Sequence, residues 1–221
     1  MRTDMVDNSK FISFEGIDFS GKTTQIDLLR ERLEHEGEQV YTRREPGGTI
    51  ISERIRDILL DKEHDEMTDI CEVFLYSAAR NQLVNEILLK ELKAGNFVIV
   101  DRYVDSTTAY QGFGRRLPLD LIRDINQAAT DGFLPNITFI LDIAPEEVIE
   151  RKRSRNEGTD RLEAAGIEFY DRVYKGYQKI AELDPGRVKI IDARKTIDKI
   201  HNEIWEFVEE KTDYIFKKKS R

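Results

Sequence analysis

Gly16-Ile17-Asp18-Phe19-Ser20-Gly21-Lys22-Thr23 has the spacing G-x-x-x-x-G-K-[ST], with Thr24 directly after it. Glycines at these positions let backbone N–H groups turn inward around a polyphosphate. The lysine then reaches its β and γ oxygens, and the hydroxyl that follows can ligate Mg²⁺. The run before it, Phe11–Phe14, is apolar, and Ile26, Leu29 and Leu33 after it share one face of a helix. A helix start behind the loop adds unpaired N–H groups and partial positive charge. The pattern predicts a nucleoside triphosphate site over residues 16–24, in place of an ordinary Gly-rich turn.

Further chemistry sits at the ends of other apolar runs. Val98-Ile99-Val100 closes on Asp101-Arg102. An acid at the carboxyl end of such a strand can organise magnesium, and a guanidinium beside it can grip a phosphate with two parallel hydrogen bonds. The plainer alternative is a structural Asp–Arg pair. Arg43-Arg44-Glu45-Pro46-Gly47-Gly48 puts cations on a turn. Tyr76 and Arg80 are four apart, so an aromatic face and a guanidinium share one helix side and could meet a base. Between Glu150 and Arg161, Arg151, Lys152, Arg153, Arg155 and Arg161 surround a polar, Gly-containing turn. Such a run is usually a solvated helix end. Next to a phosphate loop it is a lid candidate, over about 150–161.

The elements that must position these residues alternate along the whole chain. Strand-like Phe11–Glu15, Gln39–Thr42, Phe97–Val100, Ile137–Leu141 and Val188–Ile191 are separated by helical patterns. That is the sequence form of a parallel sheet with crossover helices, an α/β fold. Gly37, Gly95 and Gly132 stand where helix C-caps are wanted, and Pro145 where a helix can open. The longest helical stretch, 68–94, has a broad apolar stripe that either packs inside one domain or buries a second face against another subunit. No repeat or long linker divides the chain. The expectation is an N-terminal lead-in over 1–10, a single domain over 11–211 and a basic tail over 212–221.

Bulk properties narrow the function. The 221 residues are 39% hydrophobic and 35% charged, with a net charge of −8. That balance argues against a general nucleic-acid binder. No apolar run approaches the roughly 20 residues of a membrane span, and residues 1–10 lack the apolar centre of a secretory signal. The lone Cys71 suits a reducing cytoplasm. His35, His64 and His201 fall in no motif and read as surface residues.

Taken together, EGIDFSGKTTQ, RREPGG, EVFLYSAAR, DRYVDSTTAYQGFGR and DRLE resemble thymidylate kinase, from about Phe11 to Trp205. The resemblance implies the nucleoside monophosphate kinase fold: a five-stranded parallel sheet flanked by helices, with a short lid. It also implies Mg²⁺-dependent transfer of the γ-phosphate of ATP to dTMP, and a homodimer meeting through long helices that include 68–94. Lys22 and Thr23 would hold the ATP phosphates and the metal, and Asp101 would organise the metal and its waters. Arg44 and Arg102 would hold the acceptor phosphate. Asp18 matches the acid near the 3′-hydroxyl, and Arg80 the arginine on a thymine carbonyl. Gln111, Ser106 and Thr107 match the pyrimidine edge, and Tyr110 the position that crowds the 2′ carbon. Asp160 and Glu163 match acids near the acceptor, and the loop Asp192–Lys195, with Ala193, would border adenine. Tyr76 stands where the family has Phe. Phe19 stands where one branch carries a catalytic arginine, so the charge would come from the lid, from Arg155 first and Arg161 second. Arg151 or Arg153 could stack on adenine. Two other readings are a kinase for a different nucleoside or nucleotide on the same scaffold, and a nucleotide-driven switch. Against the switch, no N-K-x-D guanine signature occurs.

Overall fold

FVIVD is apolar up to its last residue, and all five residues of FISFE are buried, Ser13 and Glu15 included, as expected of strands covered on both faces. In the computed structural model, which describes residues 6–148, 151 and 166–219, they form the middle of a five-stranded parallel sheet. The strands are β1 (Phe11–Glu15), β2 (Val40–Arg44), β3 (Phe97–Asp101), β4 (Ile137–Asp142) and β5 (Val188–Asp192), in the order β2-β3-β1-β4-β5. Each later strand reaches at least one residue beyond the span expected from the sequence, because the ladder continues through its polar end. Arg44 pairs with Asp101, and Asp101 with Phe14. That register brings three chemistry-bearing strand ends to one level. β1 lies where the chain turns from one half of the sheet to the other, the position at which open α/β sheets gather ligands.

The helices are α1 (Lys22–His35), α2 (Ile50–Leu60), α3 (Asp69–Leu83), α4 (Leu89–Lys93), α5 (Val104–Thr107), α6 (Leu119–Thr130), α7 (Ile167–Leu183) and α8 (Ile197–Lys219). A π-helical turn, Val84–Leu88, joins α3 to α4, and a second, Thr108–Gly114, continues α5. Thr49 and Thr68 cap α2 and α3 by accepting from Ser52 N and Cys71 N. Alternation along β1 sorts the core. Ile12 and Phe14 join Leu29, Leu33, Phe139, Tyr177 and Trp205 in one apolar cluster, whereas Phe11 joins Leu83, Leu88, Val100 and Tyr103 in another. Each such buried side chain contributes roughly 1.5–3 kcal/mol. Ser13 of β1, which carries a hydroxyl into this core, is matched by the Thr138 hydroxyl of β4 at 2.6 Å.

α7 and the second π turn interlock through glycines. A Cβ at Gly114 would lie 2.6 Å from Phe169 Cε2, and one at Gly176 would lie 2.9 Å from Phe113. On α3 the broad stripe divides: Val73 and Leu83 are fully buried, whereas Phe74 is 56% exposed and Ile70 is 37% exposed. His201 is half-buried, with its Nδ1 enclosed and without a hydrogen-bond partner, so it is not the surface residue that the sequence suggested.

Candidate active site

The loop leaving β1 must reverse closely over the sheet. Gly16 has φ +127, and a Cβ there would sit 2.7 Å from the Leu141 carbonyl, so glycine is required. The loop ends at Gly21, also left-handed, and α1 starts at Lys22. Lys22 is buried, and its Nζ donates to the carbonyls of Gly16 and Ile17, both at 3.2 Å. Burial and the neighbouring Arg102 charge pull its pKa down, against the nearby acids Asp101, Asp18 and Glu15. Ser20 Oγ and Asp101 Oδ1 are enclosed and have no hydrogen-bond partner among the described residues. With the Thr23 hydroxyl, exposed in the first turn of α1, these are hard oxygen donors. They fit a small divalent cation that keeps most of its water and shares the phosphates of a bound nucleotide. Thr24 is exposed beside Thr23. On the far side of the loop Arg151 bridges two segments, donating to the Phe19 carbonyl at 3.3 Å and the Ala193 carbonyl at 2.8 Å.

A cleft opens next to this loop, and Asp18, Tyr76, Arg80, Arg102, Ser106, Thr107, Tyr110 and Gln111 all line it. Arg102 stands between the loop and the cleft. Its backbone takes φ +73, a strained conformation for a residue with a side chain. Its Nη2 donates to Asp18 Oδ1 at 2.7 Å and to Tyr110 OH at 3.3 Å, and its Nη1 donates to Ser106 Oγ at 3.1 Å and Tyr177 OH at 3.3 Å. The guanidinium carbon also lies 5.0 Å from the centre of the Tyr110 ring. Burial would raise the Asp18 pKa, but the Arg102 and Lys22 charges outweigh it and hold that carboxyl below its ordinary range.

Arg80 is almost fully enclosed. It donates through Nε to Glu45 at 2.7 Å, through Nη1 to Asn126 at 2.9 Å and through Nη2 to the Tyr103 carbonyl at 3.0 Å. Of its five N–H groups these contacts use three. Gln111 donates to the buried Glu72, which also takes Arg115. The Ser106 hydroxyl is turned toward Glu15, Tyr177 and Arg102. Arg44 sits apart: half-exposed, it pairs with Glu53 at 2.8 Å, and Glu53 also takes the Gly48 N–H. A surface pair of this kind contributes only about 0.2–1 kcal/mol, so Arg44 is easily redirected to a phosphate. Arg155, Arg161, Asp160 and Glu163, and the lid over 150–161 apart from Arg151, lie outside the described residues.

Sequence reasoning missed several residues here. Glu45, Pro46, Arg56 and Leu60 also line the cleft. Arg56 donates to the Pro46 carbonyl at 3.1 Å, and its charge helps to lower the Asp18 pKa. Glu45 Oε1 is enclosed without a hydrogen-bond partner, and burial raises the Glu45 pKa in spite of Arg80. Glu15 is fully buried at the end of β1. Its signal in the sequence was an acid closing an otherwise apolar strand, which burial must pair with donors.

The sequence model of the family described as thymidylate kinase matches residues 14–204. A thymidylate kinase of Chlorobaculum parvum is 46% identical over 201 residues, covering 87% of this chain and 92% of that protein. One of Chlorobium luteolum is 48% identical over 198 residues, covering 86% and 92%. The crystal structure of thymidylate kinase from Ehrlichia chaffeensis superimposes with a TM-score of 0.74 at 34% identity, covering 90% of this chain and 97% of that one.

Proposed function

The chain belongs to the thymidylate kinase family, and we propose that its phosphate loop holds ATP while the cleft beside Arg102 holds dTMP. It is a phosphotransferase that moves a phosphoryl group from ATP to dTMP to give dTDP. The observation that carries the division into two subsites is the place of Arg102. Its guanidinium touches the loop through Asp18 and the cleft through Tyr110 and Ser106, where donor and acceptor phosphates would meet.

Transfer of this kind forms no covalent intermediate with the protein; alignment and charge neutralisation carry the rate. Lys22 exchanges its two carbonyl partners for β and γ oxygens of ATP. Arg102 and Arg44 neutralise the acceptor phosphate and hold it in line. Bound Mg²⁺, held through Thr23 and Asp101, would neutralise charge developing on the phosphoryl oxygens. Phe19 brings no charge to the loop, so the transition-state cation comes from the lid, Arg155 first and Arg161 second. Arg151, bridging Phe19 and Ala193, borders the adenine. In the cleft, Tyr76 stacks on the base, and Arg80 offers its two remaining N–H groups to a thymine carbonyl. Thr107 and Gln111 meet the pyrimidine edge, whereas Ser106 acts through Arg102. Asp18 serves the 3′-hydroxyl, Tyr110 crowds the 2′ carbon, and Asp160 adds an acid near the acceptor. Residues 11–211 form the catalytic domain. Two copies pair through the exposed stripe of α3, with Phe74 at its centre. With no helix among the described residues long and apolar enough to cross a membrane, and with Cys71 unpaired, we place the enzyme in the cytoplasm.

The test is a coupled assay of the full chain with dTMP, dUMP, dCMP, dGMP and UMP at equal concentration. dTMP is expected to be the best acceptor, and ATP hydrolysis without acceptor to be slow. Any other acceptor ranking first would refute the assignment of the cleft.

A further inference from the structure

We propose that Glu15 is a positioning residue for Arg102, fixing both its backbone and one arm of its guanidinium. Two separate sets of contacts converge on this. The first concerns the main chain. Arg102 is held at positive φ between its own N–H, which donates to the Phe14 carbonyl at 2.8 Å, and the next N–H, of Tyr103, which donates to Glu15 Oε1 at 2.7 Å. A conformation that costs on the order of 1–3 kcal/mol persists only where its surroundings over-determine it, and Glu15 supplies one of the two clamps.

The second set concerns the side chain. Glu15 Oε2 accepts from Ser106 Oγ at 2.5 Å and from Tyr177 OH at 3.0 Å. The same two hydroxyl oxygens lie 3.1 Å and 3.3 Å from Arg102 Nη1. A guanidinium only donates, so both oxygens must accept from it while their single hydrogens point elsewhere. An ionised Glu15 takes both hydrogens and leaves both oxygens to accept from Arg102; the 3.0 Å contact between the two hydroxyl oxygens is then without a hydrogen. The carboxylate thereby sets the direction of two hydroxyls, and the hydroxyls set the arginine. Glu15 touches neither nucleotide subsite itself. Its partners are far apart in the chain, on α5 and α7, so the arrangement belongs to the fold and not to a local turn. Burial first, and then the negative charge of Asp105, raise the pKa of this carboxyl to about 7, against its hydrogen bond from Ser106 and the Arg102 charge, so the carboxylate is the major form above that pH.

This role rests on the assignment of Arg102 to the acceptor phosphate, and kinetics of the full chain separate the two. Glu15→Gln keeps the shape and removes the charge. It is expected to raise KM for dTMP about tenfold while KM for ATP stays within about twofold, the loss of roughly one charge-assisted hydrogen bond. In an Arg102→Ala background the same change should raise KM for dTMP by less than about twofold more. A purely structural acid would instead weaken both substrates alike, or add its full penalty to Arg102→Ala, and either result overturns the proposal. If Glu15→Gln does not fold, Tyr177→Phe carries the test. It should raise KM for dTMP about threefold alone and leave the Arg102→Ala enzyme unchanged; no effect alone overturns the proposal. Should Arg102→Ala itself leave KM for dTMP unchanged, the assignment of Arg102 fails and this role with it. Should Arg102→Ala raise it while Glu15→Gln and Tyr177→Phe do not, only the role of Glu15 fails.

Discussion

The two halves of the site are built on opposite plans. On the side proposed for ATP, Lys22 has, among the described residues, two hydrogen bonds of 3.2 Å to backbone carbonyls, and Ser20 Oγ and Asp101 Oδ1 are enclosed with no partner among those residues. On the side proposed for the acceptor, Arg102 makes four contacts between 2.7 and 3.3 Å and Arg80 three between 2.7 and 3.0 Å, backed by the buried acids Glu15 and Glu45. An enclosed polar atom without a partner costs about 1–3 kcal/mol, which a bound polyphosphate and its metal would offset. On the proposed assignment the donor side would gain its order from ligand, whereas the acceptor side has its cations in place beforehand. Fixed positive charge suits an acceptor that is chosen by shape; loose donors suit a phosphate chain that must be gripped and let go.

The contrast can be broken most directly at Lys22. Lys22→Ala is expected to lower kcat by about 10²–10³-fold, the scale of losing one charge-stabilising donor. Its melting temperature should not fall, since a buried ammonium whose pKa is already pulled down is removed. Arg80→Ala should do the reverse damage, costing about 3–5 kcal/mol of unfolding free energy in urea, because Glu45 is left as an unpaired buried acid. If Lys22→Ala unfolded as readily as Arg80→Ala, the two halves would not differ as described.

A smaller effect tests the buried acids. Burial first, and then the Asp105 charge, raise the Glu15 pKa from its ordinary 4.5 to about 7. Between those values the folded chain binds more protons at this group than the unfolded chain does. Its contribution to stability is therefore fully present below about pH 4.5 and is lost as pH rises through about 7. Urea titrations at pH 5, 6, 7 and 8 should show this slope, and Glu15→Gln should flatten it. An unchanged slope in the variant would place the titration elsewhere. The smallest effect concerns the base. Thymine exceeds uracil by one methyl, worth about 0.8 kcal/mol on burial, so dUMP should fall only roughly fourfold below dTMP in kcat/KM. A gap above about a hundredfold would mean that a polar group, not the methyl, reads that edge.

What the sequence made legible was local. The phosphate loop, the strands and Asp101-Arg102 are each carried by contiguous residues whose types and spacing have one economical explanation. The π turn of Thr108–Gly114 was not legible, because nothing in AYQGFG distinguishes it from an ordinary helix end. Arg56 stood on a helix face with no motif around it. Glu15 and Glu45 looked like strand-end and turn residues. Their significance comes from Tyr177, Ser106 and Arg80, which lie 162, 91 and 35 positions away and meet them only after the sheet has formed. Tyr76 and Arg80 were expected to share one helix side; both line the cleft, and Arg80 is anchored by three protein groups that no helical spacing could announce.

The glycine interlock of α7 with the second π turn has a consequence at the acceptor subsite. Tyr110 rides on one partner and Tyr177 on the other, and their rings meet edge-on at 6.3 Å with Arg102 bonded to both hydroxyls. The gap between these two jaws is set by missing atoms: one methyl at Gly176 would push against Phe113 and wedge them apart. Such a substitution, outside the residues proposed to meet either nucleotide, is expected to register in an assay as poor affinity for dTMP.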